Sequence, residues 1–200
     1  MKLVVILNIG SACYPSNPGE QGAWSFRARS QKHGYDTWTS GGIVEQSGAI
    51  LGPVARSRVM LVAALKGLES IGLQYEYRAS QTTLVSGERF IVDAINDWRL
   101  RWRDSDWRTR NGTRVRNLDL WRPLDELCNL HNVSARWIGD YTGRDPEQEE
   151  QKRCDTLAKS QAADSWSQRR IECAALDCRM ESALEHINSW LDSMPDDSAA

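Results

Sequence analysis

The stretch KLVVILNIGSACYPSNPGEQG, residues 2–22, decides the fold. Lys2 to Ile9 is an unbroken run of aliphatic and β-branched residues, the pattern of a buried strand. From Gly10 to Gly22 the chain passes to Pro15, Pro18, Gly19 and small polar residues, which predicts a loop. Gly22 to Ser30 then alternates, with Ala23, Ser25 and Arg27 on one side and Trp24, Phe26 and Ala28 on the other, as in a half-buried strand. Tyr35 to Ser40, closed by Gly41-Gly42, reads as a third strand, so the opening third predicts an antiparallel meander.

After Pro53 the period changes. Leu61, Leu65, Leu68 and Gly72 recur every three or four residues, which predicts a helix from Val54 to Gly72. Thr82 to Ser86 reads as a fourth strand. Gly87 then opens a helical segment, Glu88 to Trp98, with Phe90, Ile91, Ala94, Ile95 and Trp98 on one face. A helix from Leu118 to Leu130, a strand from Val133 to Ile138, a loop from Gly139 to Pro146 and a helix from Glu147 to Ala163 complete the order β-β-β-α-β-α-α-β-α. The expected fold class is therefore α/β, a mixed five-stranded sheet flanked by helices. A further helix, Ser165 to Met194, carries a stripe of Cys173, Leu176, Met180, Leu184, Ile187, Leu191 and Met194. This divides the chain into a domain at 1–163, an amphipathic helix at 164–194 and a tail at 195–200 expected to be disordered. The stripe either folds back on the core or pairs with a second copy or another protein.

With 200 residues, one principal domain is expected. No apolar run approaches the ~20 residues that cross a bilayer, so no membrane span is expected. The amino terminus lacks the long apolar stretch and small-residue cleavage site of a secretory signal, which makes the cytoplasm the expected compartment. Five scattered cysteines without a C-x-x-C pair fit a reducing setting and give no zinc pattern. The net charge of −2 conceals an asymmetry. Between Trp98 and Arg122, eight arginines face three aspartates, and four of the nine tryptophans lie in the same stretch. Guanidinium groups interleaved with flat aromatics suit phosphate neutralisation and packing against sugars. Trp98, Trp102 and Trp121, at helical spacing, also suit a packing seam between this arm and the core.

Five segments together resemble the type 1 ribonuclease H family, from Leu3 to about Gln161. Ile9-Gly10-Ser11-Ala12-Cys13 through Asn17-Pro18-Gly19 resembles its opening loop, with two extra residues. Arg58 to Leu68, RVMLVAALKGL, is similar to the helix that carries its glutamate. Trp98, Trp102, Trp107 and the run Asn117 to Trp121 resemble its basic handle and the helix that follows. Lys152 to Ala158, KRCDTLA, resembles its final motif. The resemblance implies hydrolysis of the RNA strand of an RNA/DNA hybrid by four carboxylates around two magnesium ions, roughly 3.5–4 Å apart.

At the matching positions this chain has Ile9, Met60 and Gly87, and only Asp155 keeps its acid; Tyr141 stands where the family has a flexible-loop histidine. One carboxylate against two divalent cations cannot offset their dehydration, so neither magnesium binding nor any other cofactor is expected. Asn8 is set aside because adjacent strand residues face opposite ways. Glu88, beside Gly87, is the one candidate replacement acid. At the positions comparable to the family's binding surface this chain has Ser11, Asn17, Arg89, Trp98, Arg101 and Trp121, and the basic stretch itself adds Arg99, Arg103, Arg108, Arg110, Arg114 and Arg116 to the candidate binding residues. The expected partner is a nucleic-acid duplex, with an RNA/DNA hybrid foremost. The alternatives are a protein-interaction scaffold and a residual metal-dependent ribonuclease.

Overall fold

The computed structural model describes residues 2–13, 22–33, 38–50, 54–74, 81–139 and 146–192. Five strands form one sheet: β1 (Lys2–Cys13), β2 (Gly22–His33), β3 (Trp38–Ile50), β4 (Gln81–Ser86) and β5 (Val133–Trp137). Their spatial order is β3-β2-β1-β4-β5. The first three pair antiparallel, while β4 runs parallel to both β1 and β5. This is the mixed five-stranded sheet expected from the sequence, and helices flank it.

Three strands outrun their expected ends, β2 by reaching His33 rather than Ser30. β1 continues through Gly10 and Ser11 to Cys13, because β2 supplies a partner for each of these residues as far as Cys13 opposite Gly22. β3 passes through Gly41-Gly42 to Ile50 instead of stopping at them. Arg29 pairs with Ile43 and Gln31 with Ser40, so the two glycines oppose Ser30 alone. A glycine pair in a strand thus marks a bulge here rather than a turn.

The helices are α1 (Arg56–Gln74), α2 (Arg89–Asp93), α3 (Arg99–Asp104), α4 (Leu118–Leu130) and α5 (Pro146–Asp192), with a π-helical turn at Ala94–Trp98 joining α2 to α3. α1 packs its Met60, Leu61, Ala64, Leu68 and Ile71 with Val5, Leu7, Ile9 and Phe26 of the sheet, all buried. Alternation along β1 sends Asn8 and Gly10 toward the other face, where α5 lies. The approach there is close: a Cβ on Gly10 would come within 2.8 Å of the Cys154 carbonyl oxygen. Ala12, Ala23, Ala158 and Ala162 form a second small cluster between the same elements. Small side chains let the α5 backbone lie on the strands.

α5 is one helix of 47 residues, not two. Nothing between Glu147 and Met194 is a glycine or proline, so no residue stops it. The chain nonetheless divides into two units, residues 1–163 and 164–200. In the second, Ile171, Leu176, Met180 and Leu184 are exposed. The tail at 195–200 lies outside the described residues. No helix is long and apolar enough to cross a membrane among the described residues.

His131, just after α4, is fully buried, and neither ring nitrogen has a hydrogen-bond partner among the described residues. Burial lowers its pKa from the usual 6.5. A histidine that resists protonation only when folded leaves stability intact above its unfolded pKa and reduces it as pH falls below that value. The melting temperature is therefore expected to hold between pH 7 and 8 and to fall between pH 6.5 and 5 (roughly the span of a histidine titration). His131→Leu should flatten that fall; an unchanged pH profile in the variant would contradict the assignment.

Candidate nucleic-acid interface

The positions at which the resemblance puts metal carboxylates lie at one end of the sheet, but their chemistry is not that of a metal centre. Ile9 is fully buried in the core with Met60. The Ser86 hydroxyl lies 3.9 Å from the Met60 sulfur, which brings the α1 position against the end of β4. Gly87 is exposed, and its carbonyl oxygen accepts a hydrogen bond from the Trp137 indole at 3.0 Å. Glu88 turns to Arg56, 2.9 Å away, and forms an ion pair there.

Asp155 is half-buried and is met by an amide. The Gln151 side chain, fully buried, donates from Nε2 to the Ile9 carbonyl oxygen at 2.7 Å and to Asp155 Oδ1 at 3.2 Å. Its Oε1 accepts from Asn8 Nδ2 at 3.1 Å. Asn8 and Gln151 thus join β1 to α5 by neutral amides. The adjacent Cys154 thiol is pushed up to about 12 by burial and stays protonated. Two magnesium ions need several anionic or carbonyl oxygens each. Ile9, Met60 and Gly87 supply no side-chain oxygen, and no three His, Cys, Asp or Glu side chains among the described residues converge to hold a metal. The donor set does not fit the pair of cations. Tyr141 and Asn17 lie outside the described residues.

The arginine-rich arm is built by α3 and a tight turn. Thr109 and Thr113 close it, with the Thr109 amide donating to the Thr113 carbonyl oxygen at 2.7 Å and left-handed Gly112 (φ +75°) at the tip. Arg108 bridges across to Arg114 in the backbone and donates to the Gly112 carbonyl oxygen at 3.0 Å. Arg58 holds the base, donating to both oxygens of Asp119 and to Asn117 Oδ1. Those bonds keep the Asp119 carboxyl below its ordinary range. A groove of about 510 Å³ runs along Trp98, Arg101, Trp102, Arg108 and Arg110.

Arg110, Arg114 and Arg116 are exposed and have no ion-pair partner among the described residues. Arg101 pairs with Asp97 one turn earlier, and Arg103 with Asp104 and Asp125. The tryptophans divide: Trp107 and Trp121 are buried, whereas Trp98 and Trp102 are half-buried and border the groove. Phe90, Trp98, Trp102 and Trp121 make a continuous aromatic run with centroid separations of 5.7, 6.0 and 5.2 Å.

Two residues expected to touch nucleic acid are not on the surface. Arg99 is 6% exposed; its guanidinium bonds Asp125 and, at 3.0 Å, Asn129, and its Nε donates to the Ile95 carbonyl oxygen. It pins α3 to α4 and is unavailable to phosphate. Ser11 is 4% exposed because β1 extends past it. Arg89 does lie on the surface, at some distance in sequence from the arm, over the Trp137 ring. Two further residues of the site, Gln151 and Trp137, do not stand out in the sequence: Gln151 carries no signal beyond its place one turn before Asp155, and Trp137 reads as an ordinary member of β5.

A family model described as RNase H matches residues 12–163. The chain is similar to ribonuclease H of Pseudomonas fluorescens, with 36% identity over 87 residues, covering 44% of this chain and 55% of that protein. It is similar to ribonuclease HI of Haemophilus ducreyi at 33% identity over 103 residues, covering 52% and 61%. The chain thus spans little more than half the length of these relatives. Among solved structures, LC9-RNase H1, described as a type 1 RNase H with the type 2 active-site motif, superposes with a TM-score of 0.65 at 19% identity, covering 82% of this chain and 74% of that one. A foamy viral protease-reverse transcriptase in complex with RNA/DNA hybrid gives 0.60 at 10% identity, covering 80% and 20%. At these identities the superpositions concern the fold.

Proposed function

The chain belongs to the RNase H family, and from that premise we propose that it binds a nucleic-acid duplex, an RNA/DNA hybrid foremost, through the arginine arm without cleaving it. One contrast carries this reading. The arm retains exposed arginines without ion-pair partners among the described residues, beside an aromatic groove, while the carboxylate positions hold hydrocarbon, a bare glycine and an amide-bonded aspartate. Cations on a rigid turn neutralise phosphates of any sequence, so recognition rests on backbone shape and charge.

The arm is tested by changing charge and not fold. Replacing Arg108, Arg110, Arg114 and Arg116 by Gln should leave the melting temperature nearly unchanged, since all four are exposed. Affinity for a hybrid at low salt should fall about thirtyfold or more, with each of the four arginines contributing about 0.5–1 kcal/mol. The salt dependence should flatten by roughly 0.9 unit of slope for each phosphate no longer neutralised, the B-form value. Unchanged binding in the variant removes the arm from the interface.

The unit of residues 1–163 contains the sheet, α1 to α4 and the buried part of α5, which supports its folding as an independent domain. A chain ending at Ala163 is expected to melt cooperatively and to keep hybrid binding. Loss of the cooperative transition would make the distal helix part of the folding unit.

A further inference from the structure

At the carboxyl end of β4 and β5 lies an exposed cluster that the arm does not include. Trp137 closes β5, and its indole N–H, donated to the Gly87 carbonyl oxygen, holds the ring across the end of β4. The residue remains 45% exposed. Over this ring, 5.4 Å from its centroid, lies the guanidinium carbon of Arg89, whose side chain is 72% exposed. Its ion pair with Asp93 is long, at 3.8 Å. Arg136, next to Trp137 in the chain, is taken up by Glu147, and Arg56 by Glu88, next to Arg89. Phe90, next to Arg89 in the chain and 38% exposed, meets Trp98 edge-on at the start of the aromatic run of the arm. Gly87 contributes no side chain, and the carboxylate of Glu88 beside it is paired with Arg56.

A guanidinium laid on an open indole is poorly used by a fully paired duplex, whose base faces are covered by their stacked neighbours. Planar aromatic and guanidinium surfaces instead suit a base that has left the stack, with the cation answering the phosphate attached to it. We propose that Arg89 and Trp137 form a subsite that stacks one unpaired nucleobase of the bound nucleic acid. This inference rests on the nucleic-acid reading above and adds a preference to it: a hybrid with an unpaired nucleotide is bound more tightly than a perfect one.

The test compares, by fluorescence anisotropy with the full chain, a blunt RNA/DNA hybrid and the same hybrid with one bulged adenosine. The parent should bind the bulged hybrid about fivefold or more tightly, the lower range of single-base stacking effects. In Trp137→Leu and in Arg89→Met the ratio of the two affinities should fall to about one; Arg89→Met, on the surface, keeps the test open should the tryptophan variant unfold. Equal affinities in the parent, or a ratio retained in the arginine variant, overturn the subsite and leave duplex binding by the arm standing. A parent that binds neither hybrid overturns the nucleic-acid reading and the subsite with it.

Discussion

Purified protein incubated with an RNA/DNA hybrid and magnesium or manganese is expected to leave the RNA strand at full length. Two divalent cations bring four positive charges, and the positions that would answer them offer one carboxylate, Asp155, already bonded to Gln151. A hard cation that gives up water for hydrocarbon at Ile9 and Met60 gains nothing in return. The expected difference from an active ribonuclease is thus one of orders of magnitude in rate. Metal-dependent cleavage that disappears in Asp155→Asn would contradict it. Replacing Ile9→Asp, Met60→Glu and Gly87→Asp together is expected to create manganese binding detectable by calorimetry in a variant that still melts cooperatively. A folded triple variant with no binding would show that these positions do not converge as the resemblance implies.

The largest expected effect on stability is at Arg99. Removal of its guanidinium in Arg99→Ala strands Asp125, itself 5% exposed, and releases the bonds to Asn129 and the Ile95 carbonyl. Breaking a buried pair on one side typically costs about 3–5 kcal/mol, and Arg103, 3.6 Å from the other Asp125 oxygen, favours the lower end, about 3 kcal/mol. For a chain of this size that corresponds to a fall in melting temperature on the order of 10 °C. The double variant Arg99→Met, Asp125→Leu should recover most of the loss, because it removes both charges. A double variant no more stable than Arg99→Ala would show that the two residues do not act as a pair.

Arg99 also shows where the sequence was legible and where it was not. It lies four residues after Ile95 on the face that buries Ile91 and Ile95, so helical spacing pointed inward while its charge suggested the surface. Spacing won because Asp125, on a helix distant in sequence, was there to receive it. The succession of strands and helices, the burial of β1 and the α1 stripe with Leu61 and Leu68 followed from alternation and three-to-four spacing, which are local. The length of β1 and the bulge at Gly41-Gly42 depended on a partner strand, which no single segment announces. The amide clasp of Asn8, Gln151, Ile9 and Asp155 joins residues more than 140 positions apart and could not be read from either end alone. Trp137 gained its role from the Gly87 carbonyl and from Arg89 over its ring, neither of which β5 itself shows.

The account stands or falls on binding without cleavage, and one titration addresses both halves. A labelled RNA/DNA hybrid is titrated with the purified chain at low and high salt, in magnesium and in a chelator, and each sample is then run on a denaturing gel. The account predicts saturable binding that weakens with salt, does not depend on magnesium and leaves the RNA intact. Absence of binding at low salt, binding that requires the metal, or a shortened RNA strand would contradict it.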